Sequence, residues 1–241
     1  MRALTWLGPN HLQVETVDEP SILNPRDVII KVTLSSVCGS DLHLLGGYVP
    51  TMQVGDIIGH EFLGEVVEAG SAVVGFSKGD RVITISIIGC GECEHCQRSE
   101  CSCCDNSNPN PSATDVAYGQ PCCGIIGYSH AFGGYAGSHA TYIRVPFADV
   151  NLFKVPESVT DEQAVFVSVA APTGYFAADQ AGIQPGRGYG RRMGLRRGGP
   201  DGDQQCLATG GGPSHRYRQG GGAPAPGASE SPRRSHQQLN H

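Results

Sequence analysis

The sequence predicts a mostly β domain, barrel-like, with a four-cysteine metal lobe, leading into helices. Three observations predict it. The stretches "DVIIKVTLSSV" (27–37), "EFLGEVVEAG" (61–70) and "DRVITISII" (80–88) are β-branched runs with partial alternation, bounded by Gly, Pro, Asp and Ser. Six of the ten cysteines crowd between Cys90 and Cys104. After the turn "KVPESVT", Thr160 and Gln163 have capping-box spacing ahead of "AVFVSVAA", the first helical stretch.

The short strands are separated by glycine corners, which favours a curved sheet over a flat one. Past the first helix, Pro172 cannot continue a helix because it lacks an N–H. It suits the first turn of a second one, "PTGYFAADQAG", closed by Gly182.

Composition divides the chain of 241 residues, whose net charge is −6. From Arg187 onward there is no Val, Ile, Phe, Trp or Lys, and nine arginines face three acidic residues. The opening "MRALTWLGPN" has no basic segment leading an apolar run, and nothing approaches the ~20 apolar residues of a membrane helix. The expectation is a soluble, cytoplasmic protein with no membrane partner. Thiols stay reduced in that compartment, so clustered cysteines point to metal rather than to disulfides.

In "GCGECEHCQRSECSCC", Cys90, Cys93 and Cys96 stand at C-x2-C-x2-C and Cys104 follows after seven residues. Four thiolates on tight turns can close a tetrahedron around zinc, with Gly89 and Gly91 letting the backbone fold sharply. Free thiols in a loop are the bland alternative. A [4Fe-4S] cluster uses a related run, but the wide fourth spacing and the lack of a following Pro argue against it. Cys101 and Cys103 are surplus, and Cys103 is a possible substitute for Cys104.

Upstream, "CGSDLHLL" (38–45) and "GHEFLGEVVEAG" (59–70) set a thiolate, an imidazole and a carboxylate on short Gly-flanked turns beside strands. Each alone also reads as a turn Cys or a surface His. Their joint appearance ahead of a four-Cys lobe points to a second metal site.

The chain resembles the zinc-dependent medium-chain alcohol dehydrogenases, most closely the formaldehyde dehydrogenase and dismutase branch. The resemblance runs over residues 1–186 through "ILNPRDVIIKV", "CGSDLHL", "GDIIGHEFLGEVVE", "CCDNSNPN", "FGGYAG" and "YIRVPFADV". It implies a GroES-like zinc-binding catalytic domain over 1–160, with its zinc lobe at 90–104. Helices over 161–186 would then lead into a Rossmann domain that binds NAD. By resemblance, Cys38 and His60 are ligands of a catalytic zinc, and Cys90, Cys93, Cys96 and Cys104 hold a structural one. The family also implies a small alcohol or aldehyde substrate and a homo-oligomer.

Zinc is a Lewis acid that polarises a carbonyl or lowers the pKa of a bound alcohol or water, and a catalytic site keeps one coordination position open. Ser40 would reach the substrate oxygen as a proton relay, with His43 passing the proton outward. Asp41 is a partner for a ligand His. Glu61 sits just outside the metal or joins it. One position departs from the resemblance: the family pattern S-D-I-x-P-T-G-Y has an Asp as third ligand, and "SVAAPTGY" places Val169 there. Valine cannot bind a metal, so Glu61 is the nearby replacement.

Three readings compete for 187–241: an Arg/Gly-rich RNA-binding segment, a Gly/Pro/Ser linker, or a coenzyme domain translated in the wrong frame. A shift of one base discriminates among them. Met193–Gly194 then encodes Trp without freedom, and "HRYR" (215–218) permits Ile-Ala-Ile-Asp. With permitted synonymous codons the tail supplies a strand, a GxGxxG turn and a second strand ending in an acid, the elements that hold a dinucleotide. The out-of-frame reading is preferred. It predicts a disordered tail, no NAD binding by this chain, and an inactive fragment with no nucleic-acid partner. The runner-up is a non-catalytic zinc-stabilised barrel whose basic tail binds nucleic acid.

Overall fold

A computed structural model describes residues 1–182, so the expectations for 187–241, and those for 183–186, lie outside the described residues. In chain order the elements are β1 (Arg2–Gly8), β2 (His11–Thr16), β3 (Val28–Ser36), α1 (Gly39–Leu45), β4 (Asp56–Ile57), β5 (Glu61–Ala69), β6 (Arg81–Thr84) and β7 (Ile87–Ile88). There follow α2 (Glu94–Gln97), a 3-10 turn (Cys101–Cys103), α3 (Pro111–Tyr118), β8 (Gly124–Ile125), a second 3-10 turn (His130–Phe132), β9 (Tyr142–Val145), α4 (Ala148–Asn151), β10 (Leu152–Lys154), α5 (Asp161–Ser168) and α6 (Ala170–Gln180).

The main sheet has the order β10-β6-β5-β3-β9, every pair antiparallel. A smaller sheet, β2-β1-β4, joins it through an isolated bridge between Ala3 and Ala140, and β7-β8 forms a third. The mostly β GroES-like class is what the sequence predicted. One face of the main sheet buries Val28, Ile30, Phe62, Val66, Val82, Ile143 and Val145; on the other, Leu63 and Ile83 pack against Ala164 and Val165 of α5. Two-sided burial explains why 27–37 and 61–70 alternate only in part.

The run 80–88 is not one strand. The Ile85 N–H still bonds Asn151 O, one step past the β6–β10 ladder, and the chain then leaves the main sheet, so β6 stays with β5 and β10 while β7 pairs with β8. The helical segment starts as expected: Thr160 Oγ1 accepts from Gln163 N at 3.4 Å, and Gln163 Oε1 accepts from Thr160 N at 3.1 Å. Helix α5 ends at Val169 (φ −141°, ψ −49°), where α6 begins in a new direction. Pro172 falls in the first turn of α6, where a missing N–H costs nothing, and Gly182 (φ +67°) follows its end.

The β3–β5 register positions the site. Ser36 pairs with Glu61, so Cys38, just past β3, arrives beside His60 and Glu61 at the start of β5. Behind them two backbones touch. Gly59 (φ +100°) lies so close to Gly127 (φ +61°) that a Cβ on Gly127 would sit 2.1 Å from Gly59 O. Among the described residues no helix is long and apolar enough to cross a membrane.

Candidate functional site

The thiols of Cys90, Cys93, Cys96 and Cys104 converge, all within 4.8 Å of one another. Cys90 Sγ and Cys96 Sγ are 3.9 Å apart, and Cys93 Sγ and Cys104 Sγ 4.0 Å. A tetrahedral ion with Zn–S of about 2.3 Å spaces its thiolates about 3.8 Å apart, so the lobe fits one zinc. Convergence on one point does not suit an iron–sulfur cube, which spreads its cysteines over separate irons.

The local folding explains the convergence. Gly91 (φ +78°) makes the turn after Cys90, and a Cβ there would lie 2.6 Å from Val150. Gly89, expected to serve the turn, instead provides room: its Cβ would meet Cys101 Sγ at 3.0 Å. Cys93 caps α2, its sulfur accepting from Cys96 N. Cys90 Sγ accepts from the N–H groups of Glu92 and Cys93 at 3.3 Å and from Asn106 Nδ2 at 3.4 Å. Burial would push the Cys90 thiol up, but those donors outweigh it and bring the pKa to about 6, toward the thiolate that a metal needs. Cys104, not Cys103, supplies the fourth sulfur. Cys123 lies alongside, its thiol pushed up to about 12 chiefly by burial, and serves as a small apolar residue.

The second cluster is Cys38, His60 and Glu61, whose ligand atoms also lie within 4.8 Å of one another. One sulfur, one imidazole nitrogen and one carboxylate oxygen make a zinc donor set. Cys38 caps α1, where the sequence suggested only a turn, and its N–H donates to Asp41 Oδ2 at 2.7 Å. His60 Nδ1 faces Asp41 Oδ1 at 3.5 Å, which leaves Nε2 on the open side, 3.1 Å from Ser40 Oγ. Burial would raise the Asp41 pKa, but a contact with His139, the charge on His60 and the Cys38 N–H hold it below its ordinary value.

His43 is exposed on α1 and meets Tyr48 edge-on at 6.2 Å. Val169 stands at the α5–α6 break and is not among the three clustered ligands. Sequence reasoning missed Tyr128, edge-on to His60 at 6.4 Å and backed by Phe132 at 5.4 Å, as well as Asn106 and His139. Asn106 lies in "CCDNSNPN", a stretch that carries the family resemblance; nothing local marks the others.

Comparison with known proteins agrees with this geometry. The model of the alcohol dehydrogenase GroES-like domain matches residues 24–157. The chain is 44% identical over 188 residues to the zinc-type alcohol dehydrogenase-like protein AdhB of Bacillus subtilis (strain 168), covering 77% of this chain and 47% of that protein. It is 33% identical over 195 residues to the glutathione-independent formaldehyde dehydrogenase of Pseudomonas aeruginosa (strain LESB58), covering 77% and 46%. Among solved structures, the alcohol dehydrogenase TADH from Thermus sp. ATN1 superposes with a TM-score of 0.69 at 32% identity, over 78% of this chain and 50% of that one. The chain spans about half the length of the curated relatives it matches. With the domain model matched over more than half of its residues, and with both cysteine-bearing clusters assembled, the chain belongs to the zinc-dependent alcohol dehydrogenase family through its GroES-like domain.

Proposed function

We propose that residues 1–160 are the catalytic domain of a zinc- and NAD-dependent oxidoreductase acting on a small alcohol or an aldehyde of the formaldehyde type. The observation that carries this is the convergence of Cys38, His60 and Glu61. Zinc held there would supply Lewis acidity toward a substrate oxygen. Ser40 Oγ, 3.1 Å from His60 Nε2, would take the substrate's hydroxyl proton, and exposed His43, three residues on along the same helix, would pass it outward. Asp41 orients His60. Tyr128, edge-on to His60 and backed by Phe132, would offer aromatic surface beside the metal.

We propose further that the codons from 187 onward are read one base out of frame, so that this chain as translated does not bind NAD or turn substrate over. Hydride transfer needs the nicotinamide held about 3 to 3.5 Å from the substrate carbon, and among the described residues no strand–glycine turn–helix unit offers to hold it. Helices α5 and α6 are read as the lead into the missing coenzyme domain.

Metal analysis tests the first part. About one zinc per chain, that of the lobe, should survive dialysis. A second, weaker equivalent should disappear on Cys38→Ser; two equivalents that survive dialysis, or loss of all zinc on Cys38→Ser, would overturn the assignment. Sequencing the DNA across codons 183–190, with calorimetry of NAD against the chain as given and frame-corrected, tests the second. Binding is expected only after correction, and turnover only when Val169→Asp is added. NAD binding by the chain as given, or none by the corrected one, would overturn the frame reading.

A further inference from the structure

We propose that His139 is a positioning residue for the Cys38–His60–Glu61 centre: it braces the Asp41 carboxylate against His60 Nδ1 and so fixes which nitrogen of His60 faces the metal. The inference rests on the reading of that centre as a metal site. His139 belongs to no motif near Cys38 or His60, and the fold delivers it. Its N–H donates to Ile58 O at 3.0 Å, and Ser138 N donates to Gly59 O at 2.8 Å. The imidazole then lies flat on Gly59, where a Cβ would come within 2.7 Å of the ring.

The ring's two nitrogens face different groups. Nδ1 is 3.0 Å from Ser35 Oγ, which also lies 3.1 Å from Glu61 O; given to Nδ1, the single Ser35 proton leaves the ring N–H at Nε2, on the side of Asp41. Nε2 is 3.7 Å from Asp41 Oδ2, while Asp41 Oδ1 faces His60 Nδ1 at 3.5 Å. One carboxylate thus stands between two imidazoles.

Three atoms of this row, His60 Nδ1, Asp41 Oδ1 and His139 Nε2, are buried without any hydrogen-bond partner among the described residues. Buried polar atoms left alone are costly and rare; His60 Nδ1 and Asp41 Oδ1 face each other, and the nearest acceptor to His139 Nε2 is Oδ2 of the same carboxylate. Asp41 is only 2% exposed, so solvent does not replace them. A carboxylate approached by His139 on one oxygen and by His60 on the other holds the proton of His60 at Nδ1. The lone pair of Nε2 is then presented on the side of Cys38 and Glu61, and the groups behind a ligating histidine generally fix its tautomer in this way. Without His139, Oδ2 keeps only the Cys38 N–H. The carboxylate can then turn away from His60, whose two tautomers become comparable.

The test uses the full 241-residue chain, metal-free and 15N-labelled at histidine, with ring proton–nitrogen correlations read for His60. The Nδ1–H tautomer should dominate. His139→Phe keeps a ring on Gly59 but removes both nitrogens, and should give a tautomer mixture; His139→Gln, which restores an N–H donor, should recover the single form. Titration with Co2+ should show binding at the Cys38 centre weakened about tenfold by His139→Phe, with the four-thiolate spectrum of the lobe unchanged. An unaltered His60 tautomer in His139→Phe would overturn the proposal. Should that variant not fold, Ser35→Ala releases ring Nδ1 together with the Ser35 bonds to Ser138 Oγ and Glu61 O. Ser138→Ala serves as the control that leaves Nδ1 its partner, and no change in the His60 signals of Ser35→Ala overturns the proposal equally. Cys38→Ser keeps the two readings apart. Indifference of the Co2+ titration to Cys38→Ser would sink the metal-site reading, while the tautomer measurement decides the role of His139.

Discussion

Asn151 is fully buried, and its amide ties the root of the cysteine lobe to the barrel. Its Oδ1 accepts from Gly89 N at 2.9 Å, and its Nδ2 donates to Gly89 O at 3.0 Å and Pro146 O at 2.9 Å. Asn151→Leu leaves those backbone groups without partners, and each such loss costs about 1 to 3 kcal/mol. Chemical denaturation should therefore show a loss of about 3 kcal/mol, with an unchanged slope against denaturant. Arg26 makes a second tie, its Nη2 donating to Cys90 O at 2.7 Å while the guanidinium lies 4.9 Å from the centre of the Phe147 ring. At this scale the two clusters were legible because spacing announces them: Cys90, Cys93 and Cys96 are near neighbours, and Cys38 and His60 sit in recognisable short contexts. Asn151, Arg26 and His139 were not legible. Each acts on a segment far away in the chain, and a single Asn, Arg or His without such a partner looks like any other.

At the scale of elements, what is set locally could be read and what is set by pairing could not. The start of α5 was foreseen because a capping box needs only four consecutive residues. Thr160→Ala should cost about 1 kcal/mol of stability, seen as an earlier thermal transition. Gln163→Ala, which leaves the Thr160 hydroxyl in place, should cost less. The β1–β2 hairpin escaped notice because β2 is largely solvent-facing and shows no apolar stripe. The break between β6 and β7 escaped because it is set by β8, a distant segment with which Ile87 and Ile88 pair. Helix α1 looked like a turn for a similar reason. It is only seven residues long and is held at its start by the Asp41 carboxylate on the Cys38 N–H, a bond that shares its acceptor with the histidine row.

For the whole molecule, the partition of the core predicts how it comes apart. The main cluster around Phe62, Ile30 and Val66 is built chiefly from strands, whereas the buried centre of the lobe's cluster is three cysteines, Cys90, Cys104 and Cys123, with Cys93, Cys96, Ile87, Ile125 and Phe147 against them. A lobe whose buried centre is cysteine would draw its cohesion from an ion held there. A strong chelator should accelerate amide exchange in 89–105 well before it affects β3 and β5; simultaneous exchange in both would show a single cooperative unit. The mostly β class and the cysteine lobe were readable from the β-branched runs and the cysteine spacing.

The contact between Gly59 and Gly127 has a consequence for heredity. In a saturation library sorted by a fluorescent folding reporter, codons 59 and 127 should each reject even alanine, while exposed Val74 and Val116 accept almost anything. A lineage drifting freely at its surface would therefore carry this pair unchanged as long as it kept the fold. Because the clash runs from a Cβ on residue 127 to a main-chain oxygen of residue 59, no compensating side-chain change at 59 could release it. The two positions would appear in an alignment as a linked silence rather than as a covarying couple.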